Sequence, residues 1–478
     1  MNIFDEIKLY KNKKEPIYKQ LYHEIKQLII SNKLEVNCKL PSIRKLSDLL
    51  DVNSSTVVSA YKLLEKENYI YKKTGSGTFV KTINNNSSEL SYPTLNIIYD
   101  FTNLTGDSGL FPITEFKELM NRVIDRDGAS AFDYQESIGY LPLRKAIRRH
   151  LEEKSIFTSL ESIQIISGTQ QGIDILTKTI LDYGDIVITE SPTYAGALYS
   201  FKSRSSKIIE IPVDRDGIDT TILEQKIKNF KPKVIYTMPN YQNPTGFSYS
   251  LDKMKKVLGL AEKYDTYIIE DDYISDIKFN NKQINVLKSL DTNNRVIYLK
   301  SFSKTFMPGI RLGFAILPIK LQRNFLLGKQ FSDISTSGFI QRIFELYLKE
   351  KMWDNHIDKI TNIYNQKHNL TKEYIKKYKP LKLRYYRPEG GLNFWFSLPD
   401  GYSSKKLEEY LKKKKILISS GARFYNNNND TEYFRINISS IDLENIKESL
   451  IILFKYIEEF MEDKSNKTLT HPVNYLGL

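Results

Sequence analysis

The most constraining feature of the chain is a series of short apolar runs that alternate with helix-like segments over residues 99–478. The segments between the runs include Gln170–Leu181 and Leu251–Tyr264. This alternation predicts an α/β fold with a largely parallel sheet, in which ligands bind beyond the carboxyl ends of the strands. The residues that follow each run are therefore the first candidates for a site. The predicted strands are Ile163–Ile166, Ile186–Thr189, Val234–Thr237, Tyr267–Glu270, Val296–Leu299 and Leu312–Leu317.

Composition limits the class of protein. At 478 residues the chain has room for about three domains, and its 41% hydrophobic and 12% aromatic content excludes global disorder. Of the net charge of +13, residues 1–81 contribute 15 Lys/Arg against 9 Asp/Glu, which weakly favours a nucleic-acid partner there. Cys38 is the only cysteine, which suits a reducing compartment. Without a signal-peptide pattern or a membrane-length apolar run, we expect a cytoplasmic protein without a membrane segment.

The first 81 residues have the pattern of three short helices. Apolar residues recur at spacings of three and four from Ile17 onwards, which predicts the first helix. Ser42 is placed to cap a second helix, and Ser54 or Ser55 to cap a third. Thr56 and Tyr61 lie within the third helix.

A predicted β-hairpin follows these helices. The runs Tyr69–Tyr71 and Thr78–Val80 flank a turn that contains Gly75, Ser76 and Gly77. Three helices and a hairpin predict a winged helix-turn-helix, whose third helix would enter the major groove of double-stranded DNA. A small helical protein-binding module is the alternative.

Residues 82–98 separate this head from the rest of the chain. They are rich in Asn and Ser and lack periodicity, which predicts a flexible linker. An ordered loop is the alternative. We therefore expect a DNA-binding domain over 1–81, a linker over 82–98 and a larger body over 99–478.

The ends of the first two predicted strands of the body carry small and aromatic residues. Gly168, Thr169 and Gln170 form a turn at a helix N-terminus, where free backbone amides favour a phosphate. Tyr194 follows the next strand and offers a flat ring for stacking. A plain strand-to-helix turn and a core tyrosine are the alternatives.

The next two strand ends carry polar side chains of different chemistry. Asn243, held extended by the proline after it, can offer its amide to a ring oxygen. Asp271 and Tyr273 are two residues apart and share a face if extended, so one can reach a ring nitrogen and the other a phenolic oxygen.

The last loop combines hydroxyls with cations. Ser301, Ser303 and Arg311 can donate charge-assisted hydrogen bonds to a phosphate, and Lys304 lies among them. A lysine beside a phosphate site can form a Schiff base with a phosphate-bearing aldehyde. Phosphate donors, a stacking ring, an anion for a ring nitrogen, donors for a ring hydroxyl and an amine together specify pyridoxal 5′-phosphate.

Residues 16–80 resemble the DNA-binding domain of GntR-family regulators. The matching words are Pro16-Ile17-Tyr18-Lys19-Gln20, Leu40-Pro41-Ser42-Ile43-Arg44, Thr56-Val57-Val58-Ser59-Ala60-Tyr61 and Gly75-Ser76-Gly77-Thr78-Phe79-Val80. The resemblance implies that residues of the second helix, the third helix and the wing loop meet DNA. These residues are Ser42, Arg44, Ser54, Ser55, Thr56, Tyr61, Gly75, Ser76 and Gly77. The family usually has Ser-Arg before the third helix, and Asn53-Ser54 stand here. The missing arginine would be worth about 1–3 kcal/mol if it contacted guanine bidentately.

Residues 100–460 resemble the fold-type-I aminotransferases, with a large mostly parallel sheet domain and a smaller C-terminal α+β domain. The most specific word is Pro239-Asn240-Tyr241-Gln242-Asn243-Pro244-Thr245-Gly246. The resemblance implies that Lys304 is the Schiff-base lysine and that Asp271 pairs with the pyridine nitrogen. It also implies that Arg435, in the alternating run Thr431–Ile438, binds a carboxylate. An exposed arginine is the alternative.

The two halves together resemble the MocR subfamily of GntR-type transcription regulators. The resemblance implies a homodimer that senses amino compounds or the cofactor itself. The hypothesis is a regulator that depends on pyridoxal phosphate and senses an amino compound, which would displace Lys304 from the cofactor as an external aldimine. Two alternatives stay open: an active aminotransferase with an autoregulatory head, and a regulator whose effector is pyridoxal phosphate itself. The sequence predicts no metal site. It does not identify the effector, the operator or the direction of regulation.

Overall fold

A computed structural model of the chain divides into two units, Met1–Thr94 and Leu95–Leu478. The predicted wing residue Gly75 and residues 82–97 of the predicted linker lie outside the described residues. The structure describes residues 4, 7, 9–10, 16–30, 34, 38–67, 69–73, 76–80, 98–282 and 284–469.

The N-terminal unit, here called the head, is a winged helix-turn-helix. Leu21, Ile25, Leu46, Val57 and Leu64 form its core, which explains the spacing of the apolar residues in the sequence. The two strands are antiparallel, with residue 70 opposite residue 80 and residue 73 opposite residue 77. The elements are α1 (Ile17–Ile30), α2 (Ile43–Leu50), α3 (Ser54–Lys66), β1 (Ile70–Lys73) and β2 (Gly77–Val80).

The caps of the head helices differ in part from the prediction. Ser42 caps α2, and its side chain accepts a hydrogen bond from the Lys45 amide at 3.3 Å. The N-cap residue of α3 is Asn53, which makes no side-chain cap hydrogen bond, so the prediction of Ser54 or Ser55 as the cap is wrong. The Ser54 hydroxyl instead lies 3.3 Å from the Ser47 hydroxyl on α2.

The second unit, here called the body, alternates strands and helices as the sequence predicts. Its elements are β3 (Tyr99–Asp100), α4 (Ile113–Asp127), α5 (Leu141–Glu152), β4 (Ile163–Ile166), α6 (Thr169–Ile180), β5 (Ile186–Ser191), α7 (Ala195–Ser203), β6 (Lys207–Asp214), β7 (Gly217–Ile218), α8 (Thr220–Phe230), β8 (Val234–Thr237), α9 (Leu251–Lys263), β9 (Tyr267–Asp272), α10 (Leu287–Leu290), β10 (Val296–Ser301), β11 (Gly313–Ile316), α11 (Ile319–Asp333), α12 (Gly338–Lys349), α13 (Met352–Tyr378), β12 (Arg384–Tyr386), β13 (Asn393–Ser397), α14 (Ser404–Lys413), β14 (Ile416–Leu417), β15 (Ser419–Ser420), β16 (Tyr433–Asn437) and α15 (Ile446–Glu462).

The large sheet of the body is mostly parallel, as predicted. Its strand order is β4-β11-β10-β9-β8-β5-β6-β7. Strands β10, β9, β8, β5 and β6 pair in parallel, whereas β11 is antiparallel to both of its neighbours and β7 is antiparallel to β6. The carboxyl ends of β5, β8, β9 and β10 therefore meet at one edge, which is where the predicted site residues lie.

The C-terminal part of the body forms a smaller sheet with the order β12-β13-β16-β15. Phe394 and Phe396 of β13 pack with Phe434 and Ile436 of β16 in one apolar cluster, with Leu453 of α15 against them. This is the smaller α+β domain that the sequence predicts. None of the helices that the structure describes is long and apolar enough to cross a membrane.

Candidate functional site

The carboxyl ends of the central strands surround an open cavity of about 660 Å³, a volume that includes the solvent at its mouth. Seven of the eleven predicted cofactor residues line it, and the other four lie behind this first layer or in the adjoining loop. The seven are Thr169, Tyr194, Asn243, Asp271, Tyr273, Ser301 and Lys304.

Lys304 lies in the loop between β10 and β11, with its amine directed into the cavity. The amine donates a hydrogen bond to the backbone carbonyl of Leu104. Burial, with a smaller contribution from the positive charges of Arg435 and Arg311, lowers the pKa of Lys304 to about 8. Close to physiological pH, a far larger share of this amine is neutral, and hence nucleophilic, than of an ordinary lysine.

Asp271 lies in β9 at the floor of the cavity and is 3% exposed. Its Oδ2 accepts a hydrogen bond from the Tyr236 hydroxyl at 2.7 Å, whereas its Oδ1 is buried without a hydrogen-bond partner among the residues that the structure describes. Burial raises the pKa of Asp271 to about 7. A buried carboxylate with a free oxygen requires a proton donor or a cation to be stable as an anion.

Arg435 and Asn243 form a buried pair at the side of the cavity. Arg435 is 4% exposed, so the alternative of an exposed arginine is excluded. Its Nη1 donates to Asn243 Oδ1 at 2.9 Å, and its Nη2 donates to Ser419 Oγ at 3.0 Å and to the Thr102 carbonyl at 3.2 Å. Burial lowers the pKa of Arg435 to about 10, so the guanidinium stays charged at neutral pH. Because Asn243 Oδ1 is occupied, its amide nitrogen is the group left for a ligand.

Hydroxyls and backbone amides gather where β10 and β4 end. Arg311 Nη1 donates to Ser303 Oγ at 3.2 Å, and Arg311 Nη2 donates to the Ser167 carbonyl at 2.8 Å. Gly168 has a φ of +93°, and a Cβ there would lie 2.5 Å from Arg311 Nη2, so only glycine fits. Thr169 opens α6, whose first amides have no helical acceptors. This arrangement suits an anion.

Two predicted residues occupy positions that change their expected contribution. The side chain of Gln170 donates to the Gly196 carbonyl and the Ser200 hydroxyl at 3.2 Å and 3.0 Å, so only its backbone amide is left for a phosphate. The Tyr273 hydroxyl donates to the Tyr241 carbonyl and accepts from Asn393 Nδ2. Tyr273 still lines the cavity, but a ring hydroxyl would have to compete for its proton.

Sequence reasoning missed the contacts made by the first segment of the body. The carbonyls of Thr102 and Leu104 accept hydrogen bonds from Arg435 and Lys304, and Ser439 Oγ lies 3.2 and 3.1 Å from the carbonyl oxygens of residues 103 and 105. Backbone carbonyls leave no signature in the residue types. Tyr236 was missed because it lies within an apolar run, where a tyrosine is the expected strand residue.

The predicted cofactor fits these residues on three structural grounds. Asp271 has a free buried oxygen at the floor, as a protonated ring nitrogen requires. Hydrogen-bond donors gather near Gly168, and they come from Arg311, Ser303 and the start of α6. A side chain at Gly168 itself would collide with Arg311. Lys304 presents a low-pKa amine between these two features.

The predicted DNA-contacting residues of the head differ in their exposure to solvent. Ser42, Arg44, Ser54, Ser55 and Gly77 are exposed, and Thr56 and Ser76 are half-buried. Tyr61 is only 2% exposed, and its hydroxyl donates to the Pro41 carbonyl at 2.9 Å. The prediction that the Tyr61 side chain contacts DNA is therefore wrong, because this side chain belongs to the core and fixes α3 to the start of α2.

The turn of the wing has its own steric requirement. Gly77 has a φ of +118°, and a Cβ there would lie 2.7 Å from Cε of Lys39. A glycine is therefore needed where the second wing strand begins.

Comparison with known proteins agrees with both units. Residues 101–451 match the family "Aminotransferase class I and II", and residues 17–80 match "Bacterial regulatory proteins, gntR family". The regulator YcxD of Bacillus subtilis, described as an uncharacterized HTH-type transcriptional regulator, is 30% identical over 92% of this chain and 99% of its own. The probable rhizopine catabolism regulatory protein MocR of Rhizobium meliloti is 27% identical over 74% of this chain and 76% of its own.

A solved structure shows the same relationship for the body. The multiple substrate aminotransferase of Thermococcus profundus superimposes with a TM-score of 0.73 at 30% identity, over 77% of this chain and 92% of its own. The class I and II aminotransferases generally use pyridoxal phosphate, and the GntR-type domain implies DNA binding. The chain therefore belongs to the class I and II aminotransferase family and, with its GntR-type head, to the MocR subfamily of DNA-binding transcription regulators.

Proposed function

We propose that this regulator depends on pyridoxal 5′-phosphate and senses a carboxylate-bearing amino compound at the Lys304 site. The observation that carries the proposal is the pairing, in one cavity, of the low-pKa amine of Lys304 with the free buried oxygen of Asp271. Arg435, held behind Asn243, adds a charged group suited to a carboxylate.

Each group has a defined part in this proposal. The phosphate would lie against Thr169, Ser301, Ser303, Arg311 and the amide of residue 170, and the ring would lie between Tyr194 and the floor of the cavity. When bound, the cofactor supplies an aldehyde that condenses with primary amines, and a ring that withdraws electrons.

The side chains at the floor and side of the cavity would fix the charge and the orientation of the cofactor ring. Asp271 Oδ1 would accept a hydrogen bond from the protonated ring nitrogen, and its negative charge would keep that nitrogen cationic. The Asn243 amide nitrogen would donate a hydrogen bond to the ring hydroxyl. Lys304, once free of the cofactor, has the Leu104 carbonyl as a hydrogen-bond acceptor already in place.

A route for the signal follows from the contacts of the first body segment. This segment begins with β3, which pairs with β14, and it reaches the site within the next few residues. An effector carboxylate that binds Arg435 competes with the Thr102 carbonyl for Nη2, and release of Lys304 makes its amine available to Leu104. Both events act on the part of the body that follows the head and the predicted linker in the chain.

The proposal is tested by operator binding. DNA affinity is measured for the wild type and for Lys304→Ala, with cofactor and with a panel of amines and amino acids. Lys263→Ala is the matched control, because Lys263 pairs with Glu224 on the exposed surface. We expect an amino acid to change the operator affinity of the wild type and of Lys263→Ala, but not that of Lys304→Ala. Operator binding that ignores both cofactor and amines would refute the sensor function.

An active aminotransferase is the second candidate. It is favoured by the full set of chemical groups at the site, from Lys304 to Arg435. Release of a keto acid from an amino acid and a keto acceptor would establish it. A response of operator binding to cofactor alone would instead make pyridoxal phosphate the effector. We also expect a homodimer, to be checked by light scattering.

A further inference from the structure

A closed polar cluster lies behind the cavity, between the loops that follow β5 and β8. At its centre are Glu190 and Gln242, both with side chains that are fully buried. Neither residue lines the cavity, and neither is among the residues predicted to bind the phosphate. A buried carboxylate without a part in the chemistry calls for another explanation.

Glu190 is satisfied by donors from several segments. Its Oε1 accepts from the Thr237 hydroxyl at 2.6 Å, the Tyr249 hydroxyl at 2.7 Å and the Met238 amide at 3.1 Å. Its Oε2 accepts from Gln242 Nε2 at 3.1 Å. Burial raises the pKa of Glu190, and these hydrogen bonds oppose that effect. All four partners are neutral donors, so the carboxylate acts as a junction rather than as half of an ion pair.

Gln242 connects this junction to both loops. Its Nε2 also donates to the Pro192 carbonyl at 2.6 Å, in the loop that carries Tyr194. Its Oε1 accepts from the amide and the hydroxyl of Thr245, at 3.0 and 2.7 Å, in the loop that carries Asn243. One amide side chain therefore fixes both loops by four hydrogen bonds.

We infer that Glu190 and Gln242 are positioning residues for the site: they set where Tyr194 and Asn243 stand relative to Asp271. Asn243 follows Gln242 directly in the chain, and its Oδ1 already accepts from Arg435. A shift of the loop that carries Asn243 would therefore move the Asn243 amide and the Arg435 guanidinium together. The inference rests on the proposed function, because it assumes that the cofactor ring lies between Tyr194 and Asp271.

Two near-isosteric variants test it. Glu190→Gln places an amide nitrogen against Gln242 Nε2, and Gln242→Glu places an oxygen against the Pro192 carbonyl. Glu270→Gln is the matched control, because Glu270 is also fully buried, lies in β9, and accepts hydrogen bonds from the backbone amides of residues 287 and 288.

Three quantities are measured for each variant. They are the dissociation constant of pyridoxal phosphate by absorbance titration, the pH midpoint of the absorbance of the cofactor attached to Lys304, and the thermal unfolding of the cofactor-free protein. We expect Glu190→Gln and Gln242→Glu to weaken cofactor binding about 10-fold or more and to shift the pH midpoint. Glu270→Gln should keep both cofactor properties at their wild-type values.

The outcomes separate this inference from the proposed function. Wild-type protein that takes up no cofactor would overturn the proposed function. Folded Glu190→Gln and Gln242→Glu variants with wild-type affinity and midpoint would overturn only the inference. If both variants fail to fold, Thr245→Val removes a single hydroxyl from the same cluster. It must then shift the pH midpoint, and an unchanged midpoint would overturn the inference.

Discussion

Replacing Asp271 by Asn should stabilise the cofactor-free protein while it damages cofactor binding. Asp271 is buried, accepts one hydrogen bond from Tyr236 and has one free oxygen, and its pKa is raised to about 7. The pKa in the unfolded chain is near the ordinary value of 3.8. The folded state therefore binds more protons than the unfolded state between about pH 4 and pH 7.

The sign and the magnitude follow from this difference. Where the folded state binds more protons, stability falls as the pH rises. The pKa of Asp271 is raised by about three pH units, and each is worth about 1.4 kcal/mol, so an ionised Asp271 costs about 4 kcal/mol above pH 7. Asn cannot ionise and can still accept from the Tyr236 hydroxyl, so the variant avoids this cost.

The assay is denaturant unfolding of the full-length protein, stripped of cofactor, at pH 4.5 and pH 8. Asp271→Asn should be close to the wild type at the lower pH and more stable by about 4 kcal/mol at the higher pH. With cofactor present the order should reverse, since only the aspartate can hold a cationic ring nitrogen. Equal pH dependence of the two cofactor-free proteins would refute the reasoning.

Three further predictions concern single side chains. The rate at which pyridoxal phosphate attaches to Lys304 should rise with pH around a midpoint near 8, because only the neutral amine reacts. Arg435→Gln should raise that midpoint, because it removes a nearby positive charge. Stopped-flow absorbance measures both effects. The same Arg435→Gln variant should weaken carboxylate effectors by about 2–5 kcal/mol while their decarboxylated amines keep their affinity, as titration calorimetry would show. Arg44→Ala on the exposed side of α2 should weaken operator binding and reduce the slope of log affinity against log salt by about one; an unchanged slope would mean that Arg44 does not contact a phosphate.

The residues after the central strands were predictable because a parallel sheet is buried on both faces. Its strands then appear as continuous apolar runs, and polar residues stand out where each run ends. Asp271 and Asn243 follow this rule, and the runs before them match β9 and β8. The structure extends β5, β9 and β10 by two residues each, because polar residues at strand ends can still pair along the ladder.

Other features depend on contacts that residue types do not encode. Strand β6 was missed because its sequence includes charged residues and Pro212, which suit a strand near the edge of the sheet. Tyr61 shares the helix period of Val57 and Leu64, which indicates the core, and it was assigned to DNA only as part of the sequence word shared with the GntR family. The carbonyls of Thr102 and Leu104 could be placed only by the path of the backbone.

Strand β16 places the core and the site on alternate residues of one short segment. Phe434 and Ile436 belong to the apolar cluster, whereas Asn437 lines the cavity and Arg435 contacts Asn243 at its side. Since side chains alternate with a period of two, inserting one residue would exchange these faces completely. Substitutions at the cavity-facing positions can therefore change the site without disturbing the core, whereas a one-residue insertion would disturb both. New ligand preferences in this architecture should arise by substitution here and by growth of the surrounding loops.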